Sequence, residues 1–188
     1  MKYLLCAASV LFYVFAATAT VIHIPDDYQT IQEGIDAASA GDTVLLADGI
    51  YTGEGNIDLD FGGVDIVLKS ENGPENCIID CQSMGQGLYF HSGETQQSVV
   101  EGIFIVNGYA MDGGGVLIEF ASPTFKNCII ADCYAYSSGG GFSIIGMSPQ
   151  IINCTIHNNF SATGGGLKVS ISDLVMNSCI IAANSSSG

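Results

Sequence analysis

Residues 113–128 read GGGVLIEFASPTFKNC, residues 139–154 read GGGFSIIGMSPQIINC, and residues 164–179 read GGGLKVSISDLVMNSC. The three stretches align without a gap. The Gly-Gly-Gly clusters recur at offsets of 26 and 25, and Ser122-Pro123 returns as Ser148-Pro149. Asn127-Cys128 returns as Asn153-Cys154 and then as Ser178-Cys179. Independent markers sharing one period define a structural repeat. Stepping upstream from Cys128 by 26 reaches Gly102, and by 25 more reaches Cys77, preceded by Asn76.

Each unit holds short β-rich runs and no helical period. After each glycine cluster an apolar residue alternates with an outward one: Leu88 and Phe90, Val116 and Ile118, Phe142 and Ile144, Leu167 and Val169. Alternation with period two puts each pair on one strand face. The next strand is read with Val99, Phe125, Ile151 and Met176 at one equivalent position. A third is read with Phe104, Ile130, Ile156 and Ile181. Three strands in about 25 residues, separated by Gly/Asn/Ser turns, make one coil of a parallel β-solenoid. Coils stack about 4.8 Å apart and bury their inner faces only by stacking. Thr43 to Gly188 has room for five to six coils.

The segment ahead of the repeats differs. Met1-Lys2 is followed by an apolar run, Tyr3 to Ala17, and by the small-x-small pattern Ala17-Thr18-Ala19. Residues 1–19 read as a secretory signal peptide, too short to span a bilayer. No later segment is long and apolar enough to span one. Residues 20–42 read as an N-terminal cap, a strand plus an amphipathic helix. Thr30 and Glu33 form a capping box, Ile31, Ile35 and Ala38 share a face, and Gly41 stops the helix. Residues 43–188 are the coils. They end on Asn184-Ser185-Ser186-Ser187-Gly188, a turn just before the next expected glycine cluster, so a truncation at the C-terminus is expected.

Composition narrows the partners. The chain carries 19 Asp+Glu against 4 Lys+Arg, all four of them lysines, for a net charge of −15. So acidic a chain offers no phosphate-binding surface, which excludes nucleic acid. Glycine is 24 of 188 residues and proline only 4, which fits many tight turns and excludes collagen.

The run Ile24-Pro25, Tyr28 to Ala38, Gly41 to Val44 and Gly49-Ile50-Tyr51 resembles the N-terminal region of right-handed parallel β-helix proteins of the pectin-lyase-like superfamily. The Gly-Gly-Gly-apolar starts and the Asn-Cys turns are similar to polymorphic outer-membrane protein repeats of bacteria. The resemblance implies an all-β, right-handed parallel β-helix of three-strand coils. It implies little about activity, because the superfamily holds lyases, hydrolases, esterases and non-catalytic surface proteins. Its lyases use a basic residue, typically Arg, often with acidic calcium ligands, but this chain has no Arg. The Gly-His-Gly and Arg-x-Lys motifs of its hydrolases and the Asp-Asp-Arg set of its esterases are also missing, and the lysines look scattered.

Two constellations remain as candidates. If Leu88/Phe90 and Val116/Ile118 point inward, His91 and Glu119 occupy one outer position on adjacent coils, about 5 Å apart. They would form an acid/base pair, and Tyr89 could stack on a sugar ring. Asp58, Asp60 and Asp65 form an acidic patch in the first coil, with Asp58 and Asp60 on one face, where oxygen ligands could bind calcium. No other cofactor is expected. Cys77, Cys128, Cys154 and Cys179 form a ladder with Gly102 in the gap, read as free buried thiols. Asn76, Asn127 and Asn153 stack beside them, with Glu101 and Ser178 completing the file. Asn153, Asn159 and Asn184 head glycosylation sequons. The expectation is a secreted or cell-surface β-helix, on an outer membrane or outside the cell. It acts as a non-catalytic, adhesin-like or polysaccharide-binding module whose partner is an extracellular polysaccharide or cell-surface ligand. The alternative is an extracellular carbohydrate-active enzyme, a lyase or hydrolase, whose catalytic residues are non-standard or lie downstream.

Overall fold

Alternating apolar residues build three of the four walls of the molecule, a computed structural model that describes residues 18–188. Short strands pair in parallel with the coils before and after them, in four sheets of seven, six, four and five strands. In the order the chain visits them, face 1 runs from Val21–Ile24 and Thr43–Leu46 to Val175–Asn177. Face 2 runs from Gly49–Thr52 to Ile180–Ala182. Face 3 holds Tyr109–Asp112, Tyr134–Ser138, Phe160–Thr163 and Ser185–Ser186. Face 4 holds Leu59–Asp60, Leu88–Phe90, Val116–Glu119, Phe142–Ile145 and Leu167–Ser170.

The all-β parallel solenoid is as expected, but the coils from Tyr109 onward have four strands rather than three. Face 3 escaped a reading based on inward apolar residues because its inward positions are small: Ala110, Ala135 and Ser161. Its large side chains point outward. Two files also shift by one residue in the third coil of the repeat. Phe125 pairs with Val100, not Val99, and Ile130 pairs with Ile105, not Phe104. Val100 and Ile105 are fully buried. The spacing at that coil is 25 residues, and a slip of one residue turns a strand inside out.

Inside, like residues stack. Val44, Leu68, Val100, Phe125 and Ile151 line face 1, and Ile79, Ile105, Ile130 and Ile156 line face 2, all fully buried. Phe61, Phe90, Phe125 and Phe142 pack edge to face at 4.8, 5.8 and 5.1 Å across the lumen. Each such fully buried side chain contributes about 1.5–3 kcal/mol. The corners explain the glycine triplets. Gly139 has φ 63°, a left-handed turn. A Cβ on Gly140 would lie 2.4 Å from the Gly165 carbonyl oxygen, and one on Gly141 2.5 Å from that of Gly166. The first glycine makes the turn, and the next two let the following coil approach.

The strand Val21–Ile24 is itself a rung of face 1, pairing in parallel with Thr43–Leu46. The helix α1 (Ile31–Ala37) begins with the expected capping box of Thr30 and Glu33 and buries Ile31, Gly34 and Ile35. It stops at Ala37, ahead of Gly41, which turns at φ 90°. The Gln32 side chain caps the edge of face 4. Its amide donates to the Asp60 carbonyl at 2.9 Å and accepts from the Asp60 amide at 3.0 Å, as a neighbouring strand would. Pairing this edge removes a template for aggregation. No helix among the described residues is long and apolar enough to cross a membrane. The predicted signal peptide falls almost wholly on residues outside those described.

Candidate functional site

The outer surface of face 4 brings the predicted acid/base residues close, but pairs them differently. Leu88 and Phe90 point into the core, so Tyr89 points out, and the Tyr89 and His91 rings stack at 4.1 Å and 22°. His91 does not meet Glu119. Its Nε2 lies 3.2 Å from Asp60 Oδ2 on the preceding coil. Glu119 instead accepts the Tyr89 hydroxyl. The strand register explains the exchange. Asp60 pairs with Tyr89, and Tyr89 with Leu117. His91 and Glu119 therefore each reach diagonally back by one coil, a span open to long side chains. The result is one continuous group across three coils: Asp60, the His91–Tyr89 stack, and Glu119.

The hydrogen bond to Glu119 pushes the Tyr89 phenol up to about 12, helped by partial burial and by the Glu119 and Asp60 charges. At neutral pH Tyr89 is a proton donor, not a base. The His91–Asp60 contact is partly solvated and worth little as stability. A cleft of about 370 Å³ lined by Gln32, Asp36, Asp60, Phe61 and Gly62 opens beside it.

The expected acidic patch separates. Asp58 has φ 52° and lies outside the strand Leu59–Asp60, so period two does not put it beside Asp60. Its carboxylate accepts the Gln86 amide at 2.9 Å. Asp60 accepts from the Gly62 amide as well as facing His91. Asp65 accepts from the Thr95 amide and from the hydroxyls of Thr95 and Ser98. Against the cost of its desolvation, those bonds hold the Asp65 carboxyl below its ordinary value. Each carboxylate ties down a different loop. Among the described residues no group of three or more His, Cys, Asp or Glu is arranged to hold a metal.

Two surface features were missed. Lys69 and Lys126 are not scattered: both flank Glu101 in one outward file of face 1, with Lys69 Nζ 4.0 Å from Glu101 Oε1. On face 3, Tyr109, Tyr134 and Phe160 stack at 5.3 and 5.4 Å, one per coil, and Tyr136 stands across them. The signal was present in the spacings of 25 and 26 residues, but on outward positions.

The six cysteines of the described residues are all thiols, five buried and Cys179 partly so. Ile103, not Gly102, completes their file, because Ile78 pairs with Phe104. Gly102 instead shares the left-handed corner with Asn127, Asn153 and Ser178, the place the sequence reading gave to Glu101. Burial pushes the Cys77 and Cys133 thiols up to about 12. The sequon residue Asn159 is fully buried, its side-chain amide donating to the carbonyls of Ile130 and of the Asn184 side chain. It is closed to glycan transfer in the folded chain.

Parallel coils of this length, four-sided and closed at one end by a helix, define a β-solenoid. The sequence model for the right-handed β-helix region matches residues 75–188, and the chain belongs to that family. The pectin-lyase-like resemblance is consistent with this. No curated protein and no solved structure matches the chain.

Proposed function

We propose that this is a secreted or surface-displayed β-helix that binds extracellular polysaccharide without cleaving it, an adhesin-like module. The observation that carries this reading is the Tyr89–His91 stack, bracketed by Asp60 and Glu119 on an open sheet face. An aromatic surface beside carboxylates suits a sugar: the ring packs on the apolar face of the pyranose, and the carboxylates accept its hydroxyls. The same group lacks the His91–Glu119 acid/base pair that the sequence suggested. Tyr89 holds its proton through neutrality, and the histidine and Glu119 face different partners. The rigid stack, the acidic composition and the leader predicted at residues 1–19 support an extracellular setting.

The test is retardation of the purified protein in gels containing neutral or acidic polysaccharides. Retardation that weakens about tenfold in Tyr89→Ala and His91→Ala is expected. Equal retardation of these variants and the parent would reject the site.

A further inference from the structure

Face 3 inverts the usual allocation of residues in a sheet. Its inward positions are Ala110, Ala135 and Ser161, and its large side chains face water. Met111 is 65% exposed, Tyr136 52% and Tyr109 38%. Contiguous aromatic and apolar surface of this kind marks a binding surface on a soluble protein.

The geometry of the rings says what would bind. Tyr109, Tyr134 and Phe160 stack with interplanar angles of 20° and 17°, so both faces of Tyr134 and one face of each outer ring are turned toward a neighbour. Tyr136 lies at 73° to Tyr109 and 89° to Tyr134. Its plane is turned out of the stack, leaving a flat ring half exposed where the strand Tyr134–Ser138 bulges between Ala135 and Ser138. The Tyr109 and Tyr136 hydroxyls bond to each other. That bond uses one hydroxyl proton and one lone pair, and leaves the second proton and the remaining lone pairs for a ligand. A platform with adjacent paired hydroxyls matches a pyranose, which has an apolar face and hydroxyls at its rim.

Charge narrows the class. No lysine lies on face 3, and its acid, Asp112, accepts a 2.6 Å hydrogen bond from Ser138. The chain carries −15 overall, which disfavours an anionic ligand. We propose that the outer surface of face 3 binds an uncharged polysaccharide chain, with Tyr136 as its stacking platform and the Tyr109–Tyr136 hydroxyl pair as its hydrogen-bonding group. This extends the polysaccharide-binding reading to a second surface and shares no residue with Tyr89, His91, Asp60 or Glu119.

Calorimetric titration of the purified protein with neutral hexasaccharides (cellohexaose and mannohexaose) tests it, with a galacturonate hexasaccharide as the anionic probe. Tyr136→Ala is expected to remove one binding site, or to lower its affinity about tenfold, the loss of an aromatic contact worth about 1.4 kcal/mol. Tyr136→Phe, which keeps the ring, is expected to lose only a few-fold, and the anionic probe is expected not to bind face 3. Circular dichroism establishes that each variant is folded, and Met111→Ala serves as a second, milder probe. Unchanged neutral-sugar binding in both Tyr136→Ala and Met111→Ala would overturn the proposal. So would a concentration-dependent dimer, seen by light scattering, that Tyr136→Ala dissolves, because face 3 would then be an interface between copies. Loss of binding in Tyr136→Ala but not in Tyr89→Ala supports face 3 and rejects the face 4 site.

Discussion

Tyr89 donates its hydroxyl proton to Glu119, one coil further along face 4, while its ring lies flat against His91. This bond decides how the cluster behaves with pH. It fixes Tyr89 as a donor and occupies the carboxylate that sequence reasoning had assigned to His91.

Tyr89 therefore titrates late. Its pKa of about 12 lies above the ordinary value near 10. In ultraviolet titration of the folded protein, Glu119→Gln is expected to bring one tyrosine down toward the ordinary range. The folded state holds this proton more tightly than the unfolded state does. The stability it contributes is complete below about pH 10 and is lost as pH rises toward 12. Identical titration curves for parent and variant would show that the bond is absent.

Asn159 accepts the Cys133 amide at 3.0 Å and donates to the Ile130 carbonyl at 3.0 Å, all out of contact with water. Asn159→Ala leaves the buried Cys133 amide unpaired and is expected to cost about 2–3 kcal/mol in denaturant unfolding. Asn153 makes one exposed bond, to Asn127. Asn153→Ala loses that bond and a residue that tolerates the left-handed corner, and is expected to cost about 1 kcal/mol. Equal losses at the two sites would contradict the buried ladder.

Gly140 and Gly53 separate two costs of adding a methyl group. At Gly140 the new Cβ would meet backbone oxygen at 2.4 Å, while at Gly53, with φ 75°, nothing lies within 4 Å. Gly53→Ala is expected to cost only backbone strain, about 1–2 kcal/mol. Gly140→Ala, where φ is not left-handed, must instead push two coils apart and is expected to cost about 3 kcal/mol or more. Thermal or denaturant melts of the two variants check the order.

The thiols are shielded rather than bridged. Native-state alkylation is expected to reach Cys179 first and to leave Cys77, Cys128 and Cys133 slow, since burial keeps these three in the thiol form. Under denaturation all six should react in protein lacking residues 1–19, which removes Cys6, and intact mass counts them. Fewer than six would reveal a disulfide in the ladder.

The solenoid was legible because its core repeats. Inward Phe125 and Ile151 recur where stacked coils must bury them, and Gly139-Gly140-Gly141 recurs where coils must nearly touch. Face 3 was not legible, because Ala135 and Ser161 carry no apolar signal and the aromatic period sits outside. The His91–Asp60 contact was hidden for another reason. It joins residues 31 apart through coils whose equivalent positions, Leu59, Leu88 and Val116, are spaced irregularly. Period-two alternation gives the face of a residue on a strand. It does not give the diagonal reach of a side chain, nor does it hold at Asp58, where the backbone turns left-handed just before the strand.

The most direct test of binding without cleavage is the chain length of a polysaccharide held by the protein. A retarded polysaccharide is incubated with the purified protein and sized by chromatography with light scattering. The account predicts an unchanged size distribution and no new reducing or unsaturated ends, with retention weakened in Tyr89→Ala. Steady shortening of the polymer, abolished by His91→Ala or Glu119→Ala, would contradict it and make face 4 a catalytic site.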